Sequence, residues 1–472
     1  MSGTEHGDAR EPLSGPPESP PAAPEPDGST TGVWSSGVSR SADGALRVGG
    51  HDLRTVAAEH GTPAYVLDEP DLRARARGYA QAFGSAFADL AGADVYYAGK
   101  AFLSVAVARW VHEEGLRIDT STGGELAVAL RAGVPGAHLG LHGNNKSASE
   151  VRTALEAGVG RIVVDSLAEV ELVASVAAET GLRAPVMLRV TTGVHAGGHE
   201  FIATAHEDQK FGLSLASGAA REAVDAVLAA PALELVGLHS HIGSQILDLG
   251  GFEVAARALL RLRAEVAATT GVLVPEVDLG GGYGVAYTGT EGTPPTAPQV
   301  AAALADVVAR ACADLGTPAP RISVEPGRSI VGPTTLTLYT VGTVKPVELD
   351  GGGQRLYVSV DGGMSDNLRP ALYGATYTAA LASRRSAARP VTARVVGKHC
   401  ESGDIVVHDV ALPADVRAGD LLAVPVTGAY GRSMASNYNL VPRPPVLAVG
   451  PAGVRAIVRG ETVADLLALD LG

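Results

Sequence analysis

From about residue 93 to 330, short apolar runs of β-forming residues alternate with alanine-rich stretches of helical spacing, and this alternation constrains the fold more than any other feature. The strand-like runs cover 95–98, 116–119, 138–141, 161–164, 185–188, 235–238, 276–279 and 321–324. Helical segments such as 101–112, 124–132, 167–178, 219–228 and 252–268 separate them. Eight β–α units in about 240 residues are what a (β/α)8 barrel of the TIM type requires. The competing doubly wound open sheet is normally complete with about six strands. The expected class is therefore α/β.

After residue 335 the texture changes to β runs and turns, at 335–340, 355–360, 391–396, 404–408 and 421–426, which predicts a mostly β C-terminal domain, a sandwich or barrel. Residues 33–68, with Pro63-Ala-Tyr-Val-Leu67, also read as β and are expected to join that domain. The expected organisation is a tail over 1–32, N-terminal strands over 33–68, the barrel over 69–335 and the β domain over 336–472. Residues 1 to 30 hold seven prolines and six acidic residues. That composition cannot bury a core and predicts disorder.

A net charge of −14, with no basic run interleaved with aromatics, argues against a nucleic-acid surface. Apolar stretches fall short of the roughly 18 residues a membrane span needs. The N-terminus lacks the charged-then-apolar pattern of a secretory signal. Two cysteines, Cys312 and Cys400, exclude a disulfide framework and suit a reducing cytoplasm.

The chemistry-bearing residues gather at the C-terminal ends of the expected barrel strands, the face on which such barrels carry their active sites. Lys100 follows the first run, and a desolvated lysine can form a Schiff base with an aldehyde. The run Gly280-Gly281-Gly282 follows the seventh. Glycines let backbone N–H groups approach an anion, and Gly327 with Arg328 adds an amide and a guanidinium beside them, which favours a phosphate site. His239 and His241 alternate on one strand and should share a face, a neutral imidazole there can stack on a cofactor ring, and Ser244 can donate to phosphate. Metal binding is not expected, because this pair has no carboxylate or third ligand at suitable spacing and the glycines between His195 and His199 weaken the helix that would align those rings.

Glu325 follows the eighth run. A carboxylate paired with a pyridine nitrogen keeps that nitrogen protonated, which suits a decarboxylase, whereas an arginine there would suit a racemase. Cys400 and Glu401 lie outside the barrel in a polar loop, and a thiol can donate a proton to a carbanion. Arg369, Tyr373 and Tyr430 are further candidates. Together these residues supply what a pyridoxal 5'-phosphate (PLP) site needs.

The chain resembles the fold-type III PLP-dependent decarboxylases, relatives of alanine racemase and ornithine decarboxylase, and within them the diaminopimelate decarboxylase family. The resemblance spans about residues 45 to 470. It rests on Tyr97-Ala-Gly-Lys-Ala101, Asp119-Thr-Ser-Thr-Gly-Gly-Glu125, His142-Gly-Asn-Asn-Lys-Ser147, His239-Ser-His-Ile-Gly-Ser-Gln245, Asp278-Leu-Gly-Gly-Gly-Tyr-Gly284, Glu325-Pro-Gly-Arg328 and His399-Cys-Glu-Ser-Gly403. It implies a homodimer with shared sites, acting on meso-diaminopimelate to give L-lysine and CO2.

By the same resemblance, Lys100 would hold PLP as a Schiff base and His241 would stack on its ring. Ser244, Gly280, Gly281, Gly282, Gly327 and Arg328 would bind phosphate. Glu325 would meet the ring nitrogen and Tyr430 would lie beside the cofactor. Arg328, Arg369 and Tyr373 would hold substrate carboxylate. Cys400, as acid, and Glu401, on the distal amine, would come from the partner subunit.

A substrate with an amino-acid group at each end needs both a cation and an anion at its distal end, and Arg369 and Glu401 provide that complement. The alternatives are a sibling decarboxylase for ornithine, lysine, arginine or an antibiotic-pathway amino acid, a racemase, and an inactive regulatory homologue. The tail has no counterpart in the family core, and residues 191–199 are richer in glycine than the resemblance implies.

Overall fold

The computed structural model describes residues 21, 24–25, 32–194, 210–350 and 352–472. The tail expected over 1–32 lies almost wholly outside the described residues, as do residues 195–199 of the glycine-rich segment, His195 and His199 included.

Eight strands form a closed parallel barrel: Ala93–Ala98, Arg117–Thr120, Leu139–Leu141, Arg161–Val164, Ala184–Thr191, Leu233–His239, Glu276–Asp278 and Arg321–Val324. The last strand pairs with the first, Val324 opposite Val95, which closes the ring. Helices follow because the connecting loops end in good caps. Ser104, Thr122, Ser147 and Ser166 each accept a hydrogen bond from the backbone N–H three residues on, at 3.2, 3.2, 3.2 and 3.3 Å. Each strand carries buried aliphatic residues, and buried polar side chains such as Asp119, Arg161, Asp278 and Ser323 interrupt the apolar runs.

The β domain is built on one bent sheet in the order Ile405–Pro413, Pro390–Val396, Gln354–Val360, Thr335–Glu348, Ala64–Asp68, Val446–Gly450 and Gly453–Val458. Leu421–Val424 also pairs with Thr335–Glu348, whose register shifts between Val341 and Val344. That strand is longer than the run 335–340 suggested, because its second half is largely exposed and interrupted by Gly342 and Pro346.

The strand Ala64–Asp68 is central in this sheet and buried throughout. Its alternating side chains serve two cores: Tyr65 and Leu67 pack into the barrel cluster, Ala64 and Val66 into that of the β domain. No described helix is long and apolar enough to cross a membrane.

Candidate active site

Lys100 sits in a single 3-10 turn, Gly99–Ala101, immediately beyond the first barrel strand. Its side chain is exposed to a cavity of about 430 Å3 lined also by Asp119, His142, Arg189, His241 and Glu325. A smaller compartment of about 170 Å3 is lined by Lys100, His241, Ser244, Gly282, Glu325, Gly327, Arg328 and Tyr430. Lys100, His241 and Glu325 thus line both. Tyr430 reaches the barrel mouth from the β domain because its backbone N–H donates to the Ala101 carbonyl at 2.8 Å.

The glycine run is a cradle that side chains would fill. Gly280 and Gly282 have φ of +69° and +105°, and a Cβ on Gly282 would lie 2.3 Å from the Gly243 carbonyl oxygen. On Gly281 it would lie 2.1 Å from that of Glu325. Of the three, Gly282 lines the smaller compartment, with Gly327 facing it. Arg328 donates through Nη2 to Ser244 Oγ at 2.9 Å.

His241 Nδ1 accepts the Gly281 N–H at 3.3 Å, so that nitrogen carries no proton. Burial, and then the cations Lys100 and Arg189, hold the ring's pKa well below the ordinary histidine value and keep it neutral. The strand ends at His239, so the two-residue alternation does not continue to His241. His239 lies fully buried against Glu325, while His241 lines the cavity.

Glu325 is the floor of the site. Its Oε1 lies 3.1 Å from His239 Nε2 and 3.3 Å from His142 Nε2, yet neither contact is aligned as a hydrogen bond, and among the described residues this oxygen has no partner. Burial, then the nearby Asp278 carboxylate, pushes its pKa up to about 8.

Asp119 and Asp278 flank it and share one cation. Arg161 Nη2 lies 3.1 Å from Asp119 Oδ1 and 2.8 Å from Asp278 Oδ2, and its guanidinium stacks 3.4 Å from the centre of the Tyr96 ring. Burial alone would raise the Asp119 pKa, but Arg161 and His142 outweigh it and hold the carboxyl below the usual range. His239 is pushed down to about 3, chiefly by burial, and is neutral.

Arg369 opens the helix Arg369–Tyr373 and is buried. Its Nη1 donates to Tyr287 Oη at 2.7 Å and to Tyr377 Oη at 2.6 Å. Arg328 Nη1 donates to the same Tyr287 oxygen, so the two guanidiniums meet there; Arg328 lines the smaller compartment, whereas Arg369 and Tyr287 line neither. Tyr373, by contrast, is 65% exposed. Cys400 and Glu401 are exposed as well, and none of these three lines either compartment. A single chain does not bring them to Lys100.

Sequence reading passed over Asp119, His142, Arg161, Asp278, Tyr287 and Tyr377 as site residues. Asp119 and His142 end or follow the second and third barrel strands, the same positional signal that singled out Lys100. Arg161 starts its strand and reaches the site only through the length of its side chain, so position alone gave no hint of it.

These residues fit PLP. An orphaned buried carboxylate oxygen stands ready for a ring N–H, a cradle free of Cβ atoms with Ser244 and Arg328 beside it stands ready for a phosphate, and Lys100 lines the space between.

Residues 71–332 match the family described as pyridoxal-dependent decarboxylase, pyridoxal binding domain. The diaminopimelate decarboxylase of Mycobacterium tuberculosis is 53% identical over 443 residues, covering 93% of this chain and 98% of that protein. That of Bacillus subtilis is 45% identical over 428 residues, covering 91% and 95%. The crystal structure of the diaminopimelate decarboxylase of M. jannaschii in co-complex with L-lysine superposes with a TM-score of 0.86 at 32% identity, over 93% of this chain and 98% of that one. The chain therefore belongs to the pyridoxal-dependent decarboxylases, in the diaminopimelate decarboxylase family.

Proposed function

We propose that this chain is a PLP-dependent carboxy-lyase that converts meso-2,6-diaminopimelate to L-lysine and CO2. Beyond the family assignment, the observation that carries the substrate choice is the pair Arg328 and Arg369 converging on Tyr287, with Arg328 lining the smaller compartment that Lys100 also lines. A diamine-forming enzyme has no distal carboxylate to hold, whereas diaminopimelate keeps one through the reaction.

Lys100 would hold the cofactor through its amine. Ser244, the Gly280–Gly282 run, Gly327 and Arg328 would hold its phosphate, His241 would lie along its ring with Tyr430 nearby, and Glu325 would meet its nitrogen. Bound there, PLP supplies an electron sink for the pair left behind when CO2 departs. Glu325, with a raised proton affinity and no other partner, keeps a proton at the floor of the site. Neutral His241 adds no second positive charge beside it.

In this reading the chain works as a homodimer in the cytoplasm. Cys400 of one subunit would protonate the carbon that lost CO2 in the other, and Glu401 would bind the distal ammonium. Their exposure on the single chain, away from both compartments, supports a role across an interface. Tyr373, exposed at the end of the Arg369 helix, would contact the substrate carboxylate from the same side.

The test is CO2 release by the PLP-loaded protein, given meso-diaminopimelate, lysine, ornithine and arginine in parallel. Release from diaminopimelate alone, with lysine as product, is expected. Release from another of the four would move the chain to the sibling reading.

A further inference from the structure

Asp404 lines neither compartment, is 3% exposed, and shares its carboxylate between two loops. Oδ1 accepts the backbone N–H of Met364 at 2.6 Å, and Oδ2 that of His399 at 2.7 Å. Met364 belongs to loop 361–369, which ends on Arg369. His399 immediately precedes Cys400 and Glu401.

The fit around this carboxylate is close. A Cβ on Gly363 would lie 2.5 Å from Oδ1, and one on Gly397 2.2 Å from Oδ2. Further contacts stitch the same two loops: Lys398 N–H to the Gly362 carbonyl at 3.0 Å, and His399 Nε2 to Ser365 Oγ at 2.8 Å. Backbone donors on a buried carboxylate are the short, strong class of hydrogen bond, so of these contacts the two to Asp404 tie the loops most firmly.

We propose that Asp404 is a positioning residue for both active sites of the dimer, holding Arg369 against Tyr287 and Tyr377 of its own chain and Cys400 with Glu401 toward the partner's site. The inference rests on the reading that Cys400 completes the partner's site. Asp404 touches neither substrate nor cofactor. It fixes the geometry between the carboxylate clamp of one site and the proton donor of the other.

Asp404→Asn replaces one acceptor oxygen by an N–H that opposes a backbone N–H. In the PLP-loaded homodimer it should leave cofactor absorbance and dimer mass unchanged. It should raise KM for meso-diaminopimelate and lower kcat, each by about tenfold, the scale of one hydrogen bond to a charged group.

Mixed dimers divide the two effects. A Lys100→Ala chain paired with a Cys400→Ala chain holds one complete site, with Lys100 from the second chain and Cys400 from the first. If such pairs regain no activity, the shared-site reading fails and this proposal with it. If they do, Asp404→Asn on the Lys100→Ala chain should lower kcat, with KM raised as well through Glu401, and on the Cys400→Ala chain should raise KM and leave kcat unchanged. Equal effects from both placements, or none, would overturn the role of Asp404 while leaving the shared site standing. Asp404→Ser, checked for fold by circular dichroism, serves the same two placements should the asparagine chain fail to fold.

Discussion

Arg328 and Arg369 donate to a single phenolic oxygen, that of Tyr287. Two guanidiniums repel one another, and a neutral hydroxyl offsets little of that repulsion. The arrangement is therefore poised for an anion, and a substrate carboxylate is the anion this chemistry provides.

Tyr287→Phe removes the shared acceptor. It should raise KM for meso-diaminopimelate about tenfold and leave cofactor absorbance intact, the loss expected for one hydrogen bond to a charged group. Steady-state kinetics with a cofactor titration decides it, and equal losses in both would count against a substrate role.

Lys100→Ala should abolish turnover and the visible absorbance of lysine-bound PLP, with the far-ultraviolet circular dichroism unchanged. The turn Gly99–Ala101 directs this side chain into open cavity rather than into packing, so little stability is at stake. Retained activity would remove Lys100 from the mechanism.

Cys400→Ala should cut kcat by about 100-fold or more, the range of a lost general acid, with cofactor binding unaffected. A parallel assay on Cys312→Ala is the control, because Cys312 is buried in the barrel cluster and lines neither compartment.

The Glu325 carboxyl, raised to about 8, gives the cofactor-free protein a pH signature. Between the ordinary carboxylate value of about 4.3 and pH 8, the native chain holds a proton that the unfolded chain has released. The stability this group contributes is fully present below the unfolded value and is lost as pH rises toward 8. His239, pushed down to about 3, is neutral in the native chain throughout that window, and above about pH 7 its unfolded counterpart, with an ordinary value of about 6.5, is largely neutral too. The Tm of the cofactor-free protein should therefore fall between about pH 7 and 8.5 more than that of Glu325→Gln, and identical pH slopes would refute the raised affinity.

Arg161→Met leaves Asp119 and Asp278 buried without their shared cation. It should destabilise the protein by about 3–5 kcal/mol, read by urea denaturation. Combining it with Asp278→Asn should recover part of the loss.

The barrel was legible because short runs centred on buried aliphatic residues alternate with separate stretches of helical spacing. Lys100, Glu325 and the glycines were legible because they stand at strand ends in unusual local sequence. The floor of the site was not. Asp119, His142, Arg161 and Asp278 come from four different strands, and no window of sequence holds two of the contacts they make. Tyr287 and Tyr377 escaped notice for the same reason, since each looks like an ordinary core tyrosine until Arg369 is seen between them.

The placement of Ala64–Asp68 also sets an order for synthesis. Its two neighbours in the sheet, Thr335–Glu348 and Val446–Gly450, leave the ribosome long after it does. The barrel can close while translation is still under way, but this strand must wait for nearly the last part of the message before its second edge is filled. A nascent chain halted after Thr335–Glu348 and before Val446 would carry an apolar, half-paired strand, and chaperone demand should concentrate there.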